Sequence, residues 1–195
     1  VIVTTSAENW SMEELSSVAI DDEKAGETIV DYLIEHGHTK IAEIGANLEL
    51  SQTAILRHNG YLNSFKKHGI TPDERYYERA RFSYDSAYHA MKKLLEKNIE
   101  ITAVYAISDV MAIGAIRAIL DKGLRVPEDI SITGFDGSTL AEYYNPKIVS
   151  IRQPHKDMAA RSVELLFSMI DLHKGSCHEI IPFELTEGES VARID

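Results

Sequence analysis

The sequence predicts an α/β domain, with a Rossmann-like parallel sheet flanked by helices. Apolar runs of strand length alternate with segments of helical period along the chain, which is the pattern of a parallel sheet covered by helices. Asp136 directly follows one of these runs, at the position where open α/β sheets bind ligands, outside the carboxyl ends of their strands. With 195 residues, 44% of them hydrophobic, the chain can form one or two domains with a substantial core.

Strands are predicted wherever a short apolar run is bounded by polar or turn residues. The run at 102–107 is almost entirely apolar, as expected of a central buried strand. Pro182 lies inside the last run and favours an edge position for it, because proline has no N–H to donate. The predicted strands cover 1–3, 17–21, 41–45, 77–82, 102–107, 130–135, 149–151 and 180–185.

Helices are predicted where apolar residues recur at three- and four-residue spacing. In the first helix this face carries Ile29, Val30 and Leu33, and Gly37 follows the last turn, as glycine commonly does at a helix C-terminus. The loop at 46–53 has the length of a ligand-contacting loop. The predicted helices cover 23–36, 86–97, 109–122 and 155–173. One more predicted helix contains Arg57 and stops at Gly69.

Charge and cysteine content exclude several classes of function. A net charge of −11 argues against contact of this segment with a phosphate backbone. Cys177 is the only cysteine, so no intrachain disulfide can form, and a cytoplasmic location is expected. No run approaches the roughly 18 apolar residues of a membrane span. The start at Val1, with no basic segment before an apolar one, predicts a piece of a longer product without a secretory signal.

Two polar side chains are candidates for ligand contact on chemical grounds. The carboxylate of Asp136 can accept two hydrogen bonds, which suits the vicinal hydroxyls of a sugar or the N–H edge of a purine. Its alternative role is to cap the turn at Gly137 and Ser138. Arg57 lies near the start of its helix, and its planar fork can bind hydroxyls, phosphate or carboxylate. The alternative for Arg57 is an ordinary surface position.

Two consecutive runs form the most diagnostic segment of the chain: S-D-V-M-A-I-G-A at 108–115 and G-L-R-V-P-E-D-I-S-I-T-G-F-D at 123–136. They closely resemble the "ND-x-x-A-x-G" helix and the "G-x-x-V-P-x-D-(I/V)-S" to "G-(F/Y)-D" stretch of the LacI/GalR family of bacterial transcription regulators. Further matches lie at 21–26, 32–42, 57–61 and 146–154. The resemblance therefore extends over nearly the whole chain.

The resemblance implies a periplasmic-binding-protein-like fold, in which two Rossmann-like lobes enclose a small polar effector, such as a sugar or related metabolite. Residues 17–151 and 177–192 would form the C-terminal lobe, and 1–16 and 152–176 would be part of the N-terminal lobe. The helix-turn-helix headpiece that binds operator DNA would lie outside this chain. Effector binding would modulate the affinity of this headpiece for DNA. No cofactor is implied.

The resemblance also implies roles for single residues in the effector site. Asp136 and Arg57 match effector-binding positions of the family. Gln153 lies at an expected crossing between the lobes, where its amide could reach the ligand. Phe82 matches a position that is often Trp or Phe, where the ring could stack on a sugar or base; its alternative is a place in the core.

Ser108 and Asp109 open the signature helix. Many relatives place an effector-contacting Asn at the position of Ser108, which is shorter, and Asp109 could serve the site or cap the helix. Thr4 aligns loosely with a ligand position of the N-terminal lobe. Ile113 and Tyr144 match surfaces through which family members form homodimers; interior packing is the alternative.

Other classes of function fit the sequence less well. A periplasmic sugar-binding protein of a transport system has the same two-lobed architecture, but the V-P-E-D segment at 126–129 is typical of regulators. An enzyme is not expected, because no nucleophile elbow, Walker loop or dinucleotide fingerprint occurs. His36 and His38 flank Gly37 without a nearby acid or cysteine, so no metal site is expected.

Overall fold

The apolar runs of the sequence assemble into parallel sheets with helices packed against them. The fold is given by a computed structural model, which describes residues 2–3, 16–49, 51–172 and 176–194. The strands are β1 (Ile2–Val3), β2 (Ser17–Ala19), β3 (Ile41–Gly45), β4 (Tyr77–Arg79), β5 (Ala103–Ala106), β6 (Ser131–Thr133), β7 (Ser150–Arg152), β8 (His178–Ile180) and β9 (Glu184–Thr186). The helices are α1 (Asp22–Glu35), α2 (Gln52–Lys67), α3 (Tyr84–Glu96), α4 (Asp109–Asp121), α5 (Thr139–Tyr143) and α6 (His155–Leu172).

The larger sheet has four parallel strands in the order β4-β3-β5-β6. A bridge between Thr133 and Val149 extends it toward β7. Helix α1 packs against α2, and α3 packs against α4. The chain leaves β3 toward β4 and then returns past β3 to β5, so right-handed crossovers place α2 and α3 on opposite faces. Strands β3, β5 and β6 are buried at every residue. This agrees with the mostly apolar sequences of β3 and β5, whereas β6 also buries Ser131 and Thr133.

A second parallel sheet has the order β1-β2-β8, and α6 packs against β1 and β2. The last predicted strand, 180–185, is wrong as one element. It is two strands: β8 lies in this second sheet, and β9 pairs antiparallel with β7. Pro182 lies between them, where its missing N–H interrupts a ladder. Strand pairing places β2 and β8 in the same sheet as β1 and not in the larger sheet. The division of the chain into two lobes stays a prediction.

The structure also differs from the sequence prediction at the end of β4 and in the presence of α5. Strand β4 ends at Arg79, not at 82, because Ser83 caps α3 by accepting a hydrogen bond from the backbone N–H of Ser86. Phe82 therefore lies in the connection between β4 and α3. The short helix α5 was not predicted, since five residues carry no measurable period.

Five of the six helix starts in the described part of the chain share one sequence signal. In each case an Asp or Ser side chain accepts a hydrogen bond from the backbone N–H three residues later, which satisfies a donor that the helix itself leaves free. These caps are Asp21, Ser51, Ser83, Ser108 and Ser138. None of the helices among the described residues is long and apolar enough to cross a membrane.

Candidate functional site

Arg57 is the centre of a polar cluster at the carboxyl edge of the larger sheet. Its side chain is only 3% exposed. Nε donates to Oδ1 of Asp22 at 2.7 Å, and Nη1 donates to the carbonyl of Ile107 at 2.6 Å. The guanidinium carbon lies 3.5 Å from the centre of the Phe135 ring, a favourable cation–π arrangement. These contacts hold the guanidinium in one orientation, so the alternative of a surface arginine does not apply.

Asp136 lies beside this guanidinium and is the exposed member of the cluster. Its Oδ1 is 3.7 Å from Nη1 of Arg57 and accepts a hydrogen bond from Nε2 of Gln153 at 2.8 Å. The side chain is 32% exposed. The backbone φ of Asp136 is +110°, a conformation that side-chain-bearing residues rarely adopt and that is found preferentially at functional sites. The structure thus brings together Arg57, Asp136 and Gln153, three residues selected from the sequence.

The surroundings of Asp136 change its acidity. Burial raises the pKa of its carboxyl group to about 6; Arg57 opposes the shift, the negative charge of Asp109 adds to it, and the hydrogen bond from Gln153 opposes it. At neutral pH the group is mainly a carboxylate that can accept hydrogen bonds from ligand hydroxyls.

Asp109 and Ser108 are buried at the start of α4. Asp109 is fully buried, and its two carboxylate oxygens accept hydrogen bonds from the Ser150 hydroxyl and the backbone N–H of Ser138, both at 2.6 Å. Burial raises the pKa of Asp109. Ser108 is 3% exposed and caps α4. The geometry does not favour the predicted ligand contact for either residue, because both side chains are buried and engaged. Asp109 fixes the turn that carries Asp136, and Ser108 caps α4.

Phe82 and Thr4 are the two remaining predicted ligand contacts. Phe82 is 48% exposed, so the alternative of a core position is excluded. It follows β4 at the same carboxyl edge as Arg57, but no contact between Phe82 and the cluster is seen in the described part of the chain. Thr4 lies outside the described residues.

Ile113 and Tyr144 are half-buried and pack against the core, as the interior alternative predicts. They border a more exposed surface, however. Burial raises the pKa of Tyr144, which is also close enough to Arg117 and Tyr84 to be affected by them. In this region Tyr84 is 43% exposed and Tyr143 is 82% exposed.

Two residues that complete the cluster were missed from the sequence. Asp22 is not among the candidates selected from the sequence, yet it is 2% exposed and holds Arg57. Burial raises its pKa, against the attraction of Arg57. Its place directly after a short apolar run was the available signal. Phe135 was assigned to a strand, and nothing in its own surroundings in the sequence indicated contact with Arg57.

The cluster suits a neutral, hydroxyl-bearing ligand better than an anion. Asp22 already neutralises Arg57, so the carboxylate of Asp136 leaves the cluster with a net negative charge that repels phosphate or carboxylate groups. Among the described residues, no three His, Cys, Asp or Glu side chains lie close enough to hold a metal ion.

The chain is similar to proteins of a known family. Residues 30–191 match the periplasmic binding protein-like domain family. The chain belongs to this family. A periplasmic binding protein-like domain was the fold expected from the sequence, and solved structures of LacI-type regulators confirm the α/β class.

The relatives of this periplasmic binding protein-like domain are regulators. The chain is 41% identical over 179 residues to the HTH-type transcriptional regulator MalR of Clostridium butyricum, covering 92% of this chain and 53% of the relative. It is 35% identical over 173 residues to the HTH-type transcriptional repressor CytR of Escherichia coli K12, covering 88% and 50%. The resemblance to the LacI family is thereby confirmed.

A solved structure of a CelR transcriptional regulator–cellobiose complex is similar over 94% of this chain and 56% of that chain, with a TM-score of 0.88 and 32% identity. The chain thus spans about half the length of the curated relatives it matches.

Proposed function

We propose that this chain is the effector-sensing domain of a LacI-type transcription regulator, and that it binds a small neutral polar metabolite, most simply a sugar. The observation that carries the proposal is the exposed carboxylate of Asp136, held by Gln153 and backed by the buried pair of Arg57 and Asp22. Such a group accepts two hydrogen bonds from neighbouring hydroxyls.

The relatives support this choice among the alternatives. CelR is a regulator that was solved in complex with cellobiose, and another LacI-type regulator was solved with bound ribose. The matched proteins carry the names of transcriptional regulators, which favours regulation over transport or catalysis. An operator-binding function also favours a cytoplasmic location.

The proposed mechanism couples two sites through two conformations of the protein. A ligand shifts such an equilibrium only if it binds one conformation better than the other. The sugar would contact Asp136 and Gln153 from the larger sheet and further groups from the other lobe, so it would favour the closed conformation. Contact with operator DNA would be made by a helix-turn-helix segment outside this chain.

The proposed active form is a homodimer. Ile113 and Tyr144 would lie at the border of its interface, with the exposed Tyr84 and Tyr143 as contacts. Aromatic side chains are frequent anchors of protein interfaces. Tyr143→Asp in the full-length protein is expected to shift sedimentation from dimer toward monomer without unfolding, because Tyr143 is 82% exposed. An unchanged dimer would contradict this assignment.

Calorimetric titration of the full-length protein with neutral sugars, including cellobiose and ribose, tests the function. Asp136→Ala should weaken binding of the best sugar by at least about tenfold, the loss expected when a hydrogen bond to a charged group is removed. Asp85→Ala, which removes an acid that is 91% exposed, is the matched control. If the two variants bind the sugar equally well, the site is assigned wrongly.

A further inference from the structure

A second cavity of about 570 Å³ lies away from the cluster around Arg57, between α2, the loop that follows it, and edge strand β4. Its volume is within the range of small-molecule sites, roughly 300–1,000 Å³. The wall includes Tyr61, Leu62 and Tyr77, which offer aromatic and aliphatic surface, and the polar residues His58, Glu74 and Arg79. No residue of the proposed effector site lines this cavity.

A buried acid orients the histidine of this cavity. Nδ1 of His58 lies 2.7 Å from Oε2 of Glu43, which is 0% exposed in the middle of β3. Because Nδ1–H donates to this carboxylate, the opposite ring edge with Nε2 is the one left for a ligand. Burial alone would lower the pKa of His58, but the hydrogen bond and the charge of Glu43 raise it overall. His58 therefore holds its proton to a higher pH than a free imidazole does, and burial also raises the pKa of Glu43.

Glu43 is itself an unusual core residue. It is in register with Tyr77, which lines the cavity, so the two side chains lie on the same face of the sheet. Its second oxygen, Oε1, is buried without a hydrogen-bond partner among the described residues. A buried acceptor without a partner destabilises the fold, because it loses its hydrogen bonds to water and gains none in return. Natural proteins tolerate buried polar groups without hydrogen-bond partners mainly at functional positions.

Arg79 supplies a second positive charge. It lies two residues after Tyr77 on β4, hence on the same face of the strand, and it is exposed. No ion pair to Arg79 is found within the described ranges. Asp73 also lines the cavity, but its carboxylate is engaged by Arg75 at 2.7 Å. Glu74 is the other acid of the wall.

We propose that this cavity is a second ligand site that takes a small organic anion, a carboxylate or phosphate carried on a flat apolar body. The anionic group pairs with the Arg79 guanidinium and the Nε2–H of His58. The flat body rests on the ring of Tyr77 and on Leu62. This ligand differs in charge from the neutral sugar proposed for the Asp136 site, so the two sites are chemically distinct.

Phenyl phosphate and benzoate test the proposal in the full-length protein, with phenol as the neutral analogue. We expect saturable binding of at least one anion in calorimetry, and shifts of the His58 imidazole signals in NMR. Arg79→Gln should weaken that binding at least tenfold. Arg81→Gln, which removes another exposed arginine two residues further on, should leave it unchanged, and Glu74→Gln should strengthen it because a repelling charge is lost.

Asp136→Ala should leave anion binding intact, which separates this site from the effector site. The proposal is overturned if neither anion binds saturably, if phenol binds as well as the anions, or if Arg79→Gln and Arg81→Gln have equal effects.

Discussion

The guanidinium of Arg57 donates from Nε to Asp22 at 2.7 Å, while its Nη1 lies 3.7 Å from Oδ1 of Asp136. Only the first distance is short enough for a hydrogen bond. The buried cation is therefore matched with the buried acid, and the partly exposed acid keeps acceptor capacity free. Arg57 supports the site, and Asp136 is the group that a ligand meets.

The raised pKa of Asp136 predicts that its charge lowers stability at neutral pH. Burial moves this pKa from 3.8 to about 6, so in this range the folded state binds the proton more tightly than the unfolded state. The free energy of unfolding therefore falls as the pH rises from 3.8 through about 6. Asp136→Asn should be more stable than the native chain at pH 7 by about 1 kcal/mol, allowing for solvent screening of a partly exposed group.

Urea denaturation at pH 4, 5, 6 and 7 measures this difference. The advantage of Asp136→Asn should shrink toward zero at pH 4, where the native carboxyl group is protonated. Glu128→Gln, which removes an exposed acid, is the control for net charge. An advantage of equal size at pH 4 and pH 7 would show that the charge of Asp136 is not its cause.

The pair of Asp22 and Arg57 should behave as a coupled unit. Arg57→Met or Asp22→Asn alone breaks a buried pair, which costs about 3–5 kcal/mol. The double variant should cost less than the sum by about 2 kcal/mol, because no unpaired buried charge remains. A double-mutant cycle in urea measures this coupling. For comparison, Asp129→Asn removes the partner of the exposed Arg125 and should lower stability much less, because exposed ion pairs contribute little. Additive effects at Asp22 and Arg57 would contradict the prediction.

Gly60 sets the spacing between α1 and α2. A Cβ atom at this position would lie 2.6 Å from the backbone nitrogen of Glu27 and would also collide with the carbonyl of Glu23. Gly60→Ala should therefore lower the free energy of unfolding by about 1–3 kcal/mol, despite the better helix propensity of alanine. Lys66→Ala on the same helix is exposed and should change it by no more than about 0.5 kcal/mol. Equal effects of the two variants would exclude close packing as the cause.

Phe82 should act on ligand affinity and not on stability. Because its ring is 48% exposed, Phe82→Ala removes little packing. Loss of stacking on a sugar face is worth about 0.5–1.5 kcal/mol, or about two- to tenfold in Kd. Calorimetry with the sugar that binds best measures this change. Leu120→Ala, which truncates a similarly exposed apolar side chain on α4, should not alter Kd; a loss that is larger for Leu120→Ala would move the binding surface toward α4.

The order of strands and helices was predictable because each element has its own local signal. Ile29, Val30 and Leu33 mark one helical face, and the run that became β5 is apolar. Pairings between distant segments have no such signal. Strand β2 joins β8 across more than 150 residues, and a three-residue strand has no period from which its sheet can be inferred.

The candidate site was predictable where a residue follows a strand or matches a motif. Asp136, Arg57 and Gln153 were selected in this way and lie together. Asp22 was missed because an acid at a helix start has a sufficient local explanation in the helix dipole, which conceals its pairing with Arg57. Glu43 was missed because its apolar neighbours indicate a strand and say nothing of a buried charge.

Three short connections link the sheet β1-β2-β8 and helix α6 to the rest of the described chain: 20–21, 153–154 and 181–183. Gln153 belongs to one of them, and its amide donates a hydrogen bond to Asp136, which follows β6 of the larger sheet. If the lobes close about these connections as proposed, a ligand that bridges Asp136 and Gln153 would act close to the axis of rotation. A shift of a fraction of an ångström there would correspond to a much larger displacement at the far ends of both lobes.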